Sequence, residues 1–296
     1  MRDFVFFAAI VLGISFVFIL GFSWMMARLW CKPQRKVFSK TPADFGLSAE
    51  VVQFLSRGIL LKGWFVPPAT KSPPPPAVLL VHGWSGNAAT MLPIAGSLQK
   101  AGFGVFLFDA RGHGASGKAG PITILKFAED MIAALNVLES RPEVDKDRLG
   151  VVGFSMGGSA AILAASKAAA IKTVVSLSAF ADPVEITRDY LKEKHIPRRP
   201  FLGLMMNFIA KWLGVSVREV TPRNLIGRIR APLLLVHGEA DRYLSFANME
   251  TLFSQADPER AEKRLCPTCG HFEVIKDPEC IEAMNSFLRK HLTRVS

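Results

Sequence analysis

At 296 residues, half of them apolar, the chain is long enough for one large α/β domain with appendages, and its composition excludes a mainly disordered or fibrous protein. The net charge of +11 raises the question of a nucleic-acid partner. We expect none, because the basic residues concentrate beside an apolar N-terminal segment and in a later insertion, and neither stretch resembles a nucleic-acid-binding module. Anionic lipid headgroups are the simpler partner for these charges.

The N-terminal segment predicts a membrane anchor. From Phe4 to Ala27 the chain has 24 consecutive residues without a charge. As a helix this run would extend about 36 Å, enough to cross a hydrocarbon core of about 30 Å with some tilt. A cleaved signal peptide is the main alternative, but its apolar region is usually about 7–15 residues long. We therefore predict that residues 1–30 form a retained transmembrane anchor.

Charged and aromatic residues at the end of this run predict its orientation. Trp24 and Trp30 suit a membrane interface. The N-terminal flank carries only Arg2, offset by Asp3, whereas the other flank carries five basic residues: Arg28, Lys32, Arg35, Lys36 and Lys40. The positive-inside rule then places residues 31–296 in the cytoplasm. Cys31 at the membrane edge is a chemically feasible S-acylation site, although an unmodified thiol is the expected state.

Beyond a polar linker at 31–46, the pattern predicts a parallel sheet wrapped by helices. An antiparallel pair, Val51–Leu55 and Ile59–Val66, comes first and turns at Arg57-Gly58. The sequence of Lys71–Pro76 predicts a stiff proline-rich loop. Buried strands are predicted at Ala77–Val81, Val105–Phe108, Leu149–Phe154, Thr173–Leu177 and Leu233–Val236, with a final strand around Leu265. Helices are predicted at Ala88–Ala101, Ile122–Ser140, Met156–Ala169, Phe246–Ala256 and Pro278–Leu292.

One interval is too long for a single crossover helix. Residues 183–230 carry ten Lys or Arg against four Asp or Glu, together with the apolar stretch Phe201–Leu213. We predict a cap inserted between two parts of the core, 47–182 and 231–296. The cap either faces a bilayer or a fatty chain, or is an ordinary capping subdomain with an apolar underside.

A short Gly-Ser motif carries the chemistry. Gly153-Phe154-Ser155-Met156-Gly157 follows a predicted buried strand and opens an Ala-rich helix. This strand–turn–helix context is what a nucleophile elbow requires, since the sharp turn projects the serine hydroxyl and the glycines avoid clashes. A phosphate-binding loop would need a Gly-Lys-Ser/Thr ending, which is absent.

A serine hydroxyl needs a base and an acid that orients the base. His271 lies in a loop between the last strand and the last helix, where the base is expected. Asp241 follows the strand Leu233–Val236 and is our choice for the acid, with Glu239 in reserve. The resulting chain order is Ser, Asp, His.

Five motifs at compatible spacing make the chain resemble the α/β-hydrolase superfamily, over about residues 50–292. They are Val81-His82-Gly83-Trp84, Asp109–Ser116, the Ser155 elbow, His237–Asp241 and Gly270-His271. The resemblance is strongest to monoacylglycerol-lipase-like and serine-aminopeptidase-like hydrolases. It implies an α/β-hydrolase fold with a mostly parallel sheet, helices on both faces and an inserted helical cap.

The resemblance also implies roles for further residues. The backbone N–H groups of Trp84 and Met156 are the expected oxyanion donors. Asp109 and Arg111 are expected to support the site structurally. A serine at the elbow argues against dehalogenase and epoxide-hydrolase relatives, whose nucleophile is an aspartate.

Three cysteines near His271 raise the alternative of a zinc site. Cys266, Cys269 and Cys280 together with His271 supply four side chains that can bind zinc, but such a site would consume the proposed base. We therefore interpret these cysteines as incidental apolar residues and expect no metal.

The leading hypothesis is a membrane-anchored serine hydrolase that cleaves carboxylic esters. Lipid or acylglycerol-like esters are its candidate substrates. Ser155 attacks, His271 transfers the proton and Asp241 orients the imidazole, so no metal or organic cofactor is required. A thioesterase or an aminopeptidase-like hydrolase would use the same triad. From another class, a non-catalytic membrane scaffold could keep the fold and present the basic cap to a partner.

Overall fold

The computed structural model describes residues 1–36, 40–69, 74–118 and 120–293. The strands are β1 Glu50–Ser56, β2 Ile59–Val66, β3 Ala77–Val81, β4 Gly104–Asp109, β5 Leu149–Phe154, β6 Ile171–Leu177, β7 Leu233–Gly238 and β8 Ala261–Cys266. The α-helices are α1 Arg2–Trp30, α2 Leu92–Lys100, α3 Ile124–Glu139, α4 Met156–Ala165, α5 Pro183–Glu193, α6 Arg198–Leu213, α7 Pro222–Leu225, α8 Ala247–Gln255 and α9 Pro278–Leu292. Short 3₁₀ helices lie at Pro42–Phe45, Ala88–Met91, Val217–Val220 and Ile226–Arg228.

Within the described residues the strands form one eight-stranded sheet in the order β1-β2-β4-β3-β5-β6-β7-β8. The β1–β2 and β2–β4 pairs are antiparallel, and the pairs from β4 to β8 are parallel. Every residue of β3, β4, β5 and β7 is buried, as expected for strands covered on both faces. This arrangement confirms the predicted α/β-hydrolase fold.

Apolar layers on the two faces of the sheet account for the core. One cluster packs α3 and α4 against the sheet through residues such as Phe127 and Leu163. The other packs α2 and α9 against the opposite face through Leu98 and Leu288. Asp277 caps the N-terminus of α9 by accepting a hydrogen bond from the Cys280 N–H at 2.9 Å. The helices therefore hold the carboxyl ends of the parallel strands in a fixed arrangement.

The interval between β6 and β7 contains α5, α6 and α7, which form the cap. Its first helix begins at a capping residue, because the Asp182 carboxylate accepts a hydrogen bond from the Val184 N–H at 2.8 Å. The same carboxylate pairs with Arg223 at 2.7 Å. The ion pair therefore joins the beginning of the insertion to its end.

The N-terminal helix α1 is longer than the predicted apolar run and is long and apolar enough to cross a membrane. Residues 2–18 are almost entirely exposed, whereas the end of the helix packs on the cap. The segment that follows, predicted as a linker, also contacts the core, because the Gln34 N–H donates to Ser85 Oγ at 3.0 Å.

Two predicted helices differ in extent from the observed ones. The predicted helix Ala88–Ala101 is divided into a 3₁₀ turn and α2, with Pro93 in the first turn of α2, where its missing N–H has no cost. The helix predicted at Met156–Ala169 ends at Ala165. The proline-rich loop is described only from Pro74 onward, so Lys71-Ser72-Pro73 lies outside the described residues.

Candidate active site

The Ser155 turn joins β5 to α4 with a strained backbone. Ser155 has φ 54° and ψ −118°, a conformation that non-glycine residues rarely adopt. The turn is possible because its glycines allow close backbone approach. A Cβ on Gly157 would lie 2.5 Å from the Val81 carbonyl oxygen, and a Cβ on Gly153 would overlap the Gly157 carbonyl. The Ser155 N–H donates to the Leu177 carbonyl at 2.8 Å, so neighbouring strand β6 also holds the turn.

The structure brings the three predicted triad residues into one hydrogen-bonded line. His271 Nε2 lies 3.0 Å from Ser155 Oγ, and His271 Nδ1 lies 2.6 Å from Asp241 Oδ2. Because an ionised carboxylate only accepts hydrogen bonds, Nδ1 carries the proton and Nε2 is free to accept from the serine hydroxyl. Ser155 follows β5, Asp241 follows β7 and His271 follows β8, so the three meet at the carboxyl edge of the sheet.

Asp241 is held as a carboxylate by several donors. Its Oδ1 accepts hydrogen bonds from the N–H groups of Tyr243 and Leu244, at 2.9 and 2.8 Å. Its Oδ2 lies 3.3 Å from His237 Nε2 as well as near His271. Burial by itself would raise the pKa of Asp241, but the hydrogen bonds from His237, His271 and the Leu244 N–H outweigh burial and hold this pKa far below its usual range.

The two residues predicted to supply oxyanion donors, Trp84 and Met156, line the same cavity as Ser155. Met156 is the first residue of α4, and the first N–H groups of a helix have no carbonyl partner within the helix. Trp84 follows β3 and lines the same cavity as Ser155. A hydrogen bond holds its loop, since the Ser85 N–H donates to His113 Nε2 at 3.2 Å.

The Asp109–Ser116 loop packs against the segment that follows β3 and contains Trp84. The Asp109 carboxylate accepts hydrogen bonds from the N–H groups of Ala88 and Ala115, both at 2.7 Å. Arg111 is buried and pairs with Asp130 at 2.6 Å. Neither Asp109 nor Arg111 is among the described residues that line the Ser155 cavity, so their contacts are structural.

A cavity of about 400 Å³ opens over Ser155 and His271. Aromatic rings crowd its catalytic end, with Phe154 4.9 Å and Tyr243 5.6 Å from the His271 ring, centroid to centroid. Its described lining contains no Asp, Glu, Lys or Arg, and the cap contributes apolar residues such as Ile186, Met206 and Leu213. The cavity volume lies in the range typical of small-molecule sites, about 300–1,000 Å³.

The cysteine interpretation is wrong for two of the residues. Cys266 and Cys280 form a disulfide, because β8 ends beside the start of α9 and brings their Cα atoms to 6.7 Å. Cys269 remains a buried thiol, and its Sγ lies within 4.8 Å of both disulfide sulfurs. In this structure two of the three sulfurs are bonded to each other, and His271 Nδ1 lies 2.6 Å from Asp241 Oδ2.

Cys31, which follows α1, is buried. Burial raises the pKa of its thiol to about 12, despite the opposing effect of Lys126. A thiol in this state is a poor nucleophile, which favours the unmodified side chain over S-acylation.

Sequence reasoning missed one neighbour of the triad. His237, which the sequence analysis names only as part of a motif, contacts the Asp241 carboxylate. Its spacing of four residues before Asp241 was the available signal. Glu239, the reserve acid, is exposed and lies outside the hydrogen-bonded line.

Comparison with known proteins gives a family and a fold. Residues 72–223 match the family model for serine aminopeptidase, S33, a stretch that includes Trp84 and Ser155 and ends before Asp241 and His271. The chain is 29% identical over 253 residues to "Uncharacterized protein YfhR" of Escherichia coli (strain K12), covering 83% of this chain and 80% of that protein. It is 27% identical over 245 residues to YfhR of Salmonella typhimurium, covering 82% and 80% respectively.

Solved structures agree on the architecture. An esterase of Pyrococcus furiosus superimposes with a TM-score of 0.71 at 24% identity, covering 88% of this chain and 98% of that one. Est1E from Butyrivibrio proteoclasticus gives 0.64 at 19% identity, covering 83% and 100%. At these identities the likeness concerns the fold.

Proposed function

We propose that this chain, which belongs to the serine aminopeptidase S33 family of hydrolases, is a membrane-anchored serine esterase that uses Ser155, His271 and Asp241. The observation that carries the proposal is the continuous line from Ser155 Oγ through His271 to Asp241, with separations of 3.0 and 2.6 Å. The line ends at an apolar cavity, so the serine faces a space suited to an acyl group. The Pyrococcus furiosus protein among the structural neighbours is an esterase by name, which is consistent with this chemistry.

The geometry supports acyl transfer through a covalent intermediate. Ser155 Oγ attacks the ester carbonyl carbon while His271 Nε2 takes the hydroxyl proton. The N–H groups of Trp84 and Met156 stabilise the negative oxygen of the tetrahedral intermediate, and removing one such donor typically costs about 3–4 kcal/mol. His271 then protonates the leaving alkoxide, and a water molecule releases the acid by the same steps in reverse order.

The cavity lining favours neutral acyl groups over aminoacyl groups. An aminopeptidase must bind a protonated α-amino group, and a buried cation needs a carboxylate partner. Among the described lining residues the charge-capable side chains are Cys31 and Tyr243 besides His271, and none is a carboxylate. We therefore propose ester rather than N-terminal peptide substrates.

The helix α1 is proposed as a retained anchor with the catalytic domain on the cytoplasmic side. Its length and apolar composition suit a span, and its last residues are buried against the cap. Removal of α1 as a signal sequence would strip the apolar partners Met26 and Ala27 from the cap, which supports retention.

Active-site labelling tests the proposed function. The full-length chain in detergent should react with a fluorophosphonate probe and hydrolyse p-nitrophenyl esters, and Ser155→Ala should abolish both. Ser166→Ala is the matched control, because Ser166 follows the end of the same helix and only bonds the Leu163 carbonyl at 2.8 Å. Folded wild-type protein that neither labels nor turns over ester would instead support a non-catalytic scaffold.

A further inference from the structure

The end of the anchor helix packs directly on the cap. Ring centroids of Phe22 and Phe201 are 5.2 Å apart, and those of Trp30 and Tyr190 are 4.4 Å apart. A buried apolar cluster joins the end of α1 to α5 and α6 through Met26, Ala27, Cys31, Leu191, Leu202, Met205 and Ile209. This interface makes the end of α1 a part of the folded catalytic domain.

Hydrogen bonds after α1 hold this end in place. The Ile122 N–H donates to the Cys31 carbonyl at 2.8 Å. Arg35 donates to the carbonyls of Gly114 and Ser116, at 2.6 and 2.7 Å. Because these bonds tie the chain to the loop that supports the Ser155 site, the distance from α1 to that site is fixed.

The same end of α1 forms a wall of the Ser155 cavity. Trp30 and Cys31 line the cavity together with Met206, Ile209 and Leu213 of α6. The five side chains are mainly apolar and none is a carboxylate, guanidinium or ammonium group; the Trp30 indole N–H and the Cys31 thiol are their hydrogen-bond donors. An aliphatic chain is the ligand that gains most from such a surface, because its CH₂ groups leave water on binding.

The position of the cavity relative to a bilayer follows from α1. From Phe4 to Phe22 the helix extends about 28 Å at 1.5 Å per residue, close to the thickness of the hydrocarbon core. Trp24 then lies at the interface, and the cap residues that contact Phe22 lie at the bilayer surface. A cavity walled by Trp30 is therefore within one or two helical turns of the lipid.

Resting on the proposed esterase function, we propose that Trp30 and Cys31 of the anchor, with Met206 and Ile209 of the cap, form the binding site for a long acyl chain of a membrane lipid. The anchor is then a component of the substrate site and sets which acyl chains fit. Substrate selectivity then depends on residues of α1 and the cap, outside the sheet and the helices that cover it.

Cavity-filling variants in the full-length chain test this site from two opposite walls. Cys31→Phe fills it from the anchor and Met206→Trp from the cap. We expect the ratio of kcat/KM for p-nitrophenyl palmitate to that for p-nitrophenyl acetate to fall about tenfold in each variant. Leu29→Phe is the matched control, since Leu29 is 53% exposed on α1 and does not line the cavity. An unchanged ratio in both cavity variants would overturn the proposal.

A binding measurement separates this site from the catalytic proposal. A photoreactive diazirine analogue of palmitate should crosslink to Ser155→Ala protein at peptides containing Trp30 or Met206, and Cys31→Phe in that background should reduce the yield. This readout needs no turnover, so it is independent of whether Ser155 is catalytic. Crosslinks confined to the exposed part of α1, unaffected by Cys31→Phe, would count against the site.

Discussion

His237 Nε2 lies 3.3 Å from Asp241 Oδ2 and 2.8 Å from the Leu244 carbonyl oxygen. Because a carbonyl only accepts, Nε2 of His237 carries a proton and directs it toward both oxygens. This bond reaches Asp241 Oδ2, the same oxygen that His271 Nδ1 contacts, and so restrains the oxygen that orients the imidazole. His237 is therefore a positioning residue for the proposed triad.

We expect His237→Phe to lower kcat about tenfold with little change in KM, because the Asp241 carboxylate loses a donor but the substrate cavity is untouched. His237→Gln, which retains an N–H donor, should recover most of the lost kcat. Steady-state kinetics on a short ester, with thermal unfolding as the check on folding, measures both. Equal losses in the two variants would indicate a purely structural residue.

The two candidate acids are separable by substitution. Asp241→Asn should lower kcat by about three to four orders of magnitude, because an amide no longer fixes the tautomer of His271 that accepts the serine proton. Glu239→Gln should leave kcat within about twofold of wild type, because that side chain is exposed and outside the line. Ester hydrolysis by the two variants, at equal amounts of folded protein, compares them. A larger loss in Glu239→Gln would transfer the role of the acid to Glu239.

Two buried histidines predict a loss of stability in acid. Burial lowers the pKa of His82 to about 4 and that of His113 to about 3, from an ordinary value of 6.5. The unfolded chain therefore binds more protons than the folded protein below about pH 6.5, so the full contribution is present above that pH and is lost as the pH falls toward 3. Denaturant midpoints measured between about pH 7 and about pH 4 should fall accordingly.

The variant His113→Gln isolates this effect, since a glutamine oxygen can accept the Ser85 N–H without gaining a proton. Its unfolding free energy should depend less steeply on pH over the same range. A slope equal to that of the wild type would assign the acid sensitivity to other groups.

The disulfide gives a test of membrane orientation. Flanking charges predict that residues 31–296 face the cytoplasm, where glutathione keeps thiols reduced. The structure contains the Cys266–Cys280 disulfide, so a cytoplasmic location predicts that this bond is reduced in the cell. We therefore expect Cys266 and Cys280 to be alkylated by a maleimide reagent in acid-quenched, denatured cells, with Cys266→Ser showing one labelled thiol fewer. Alkylation that requires prior reduction would place the catalytic domain on an oxidising side instead and reverse the orientation.

Local patterns in the sequence were enough to predict a parallel sheet wrapped by helices, and the resemblance of five motifs implied the α/β-hydrolase fold; the structure confirms both predictions. Continuous apolar runs mark strands buried on both faces, and Gly153 to Gly157 mark a turn that only small flanking residues permit. The proposed triad was likewise chosen from positions at strand ends, which neighbouring strands bring to one edge of a parallel sheet.

Contacts between distant segments were decided only by the tertiary structure. Arg35 reaches carbonyls about eighty residues away, Cys266 pairs with a cysteine on another element, and Trp30 of the anchor reaches the cavity of Ser155. No local periodicity encodes such pairs, since they depend on how the cap and α1 pack over the sheet. The sequence by itself therefore determined the scaffold and the candidate chemistry, while the packing of α1 and the cap on that scaffold determined the shape of the site.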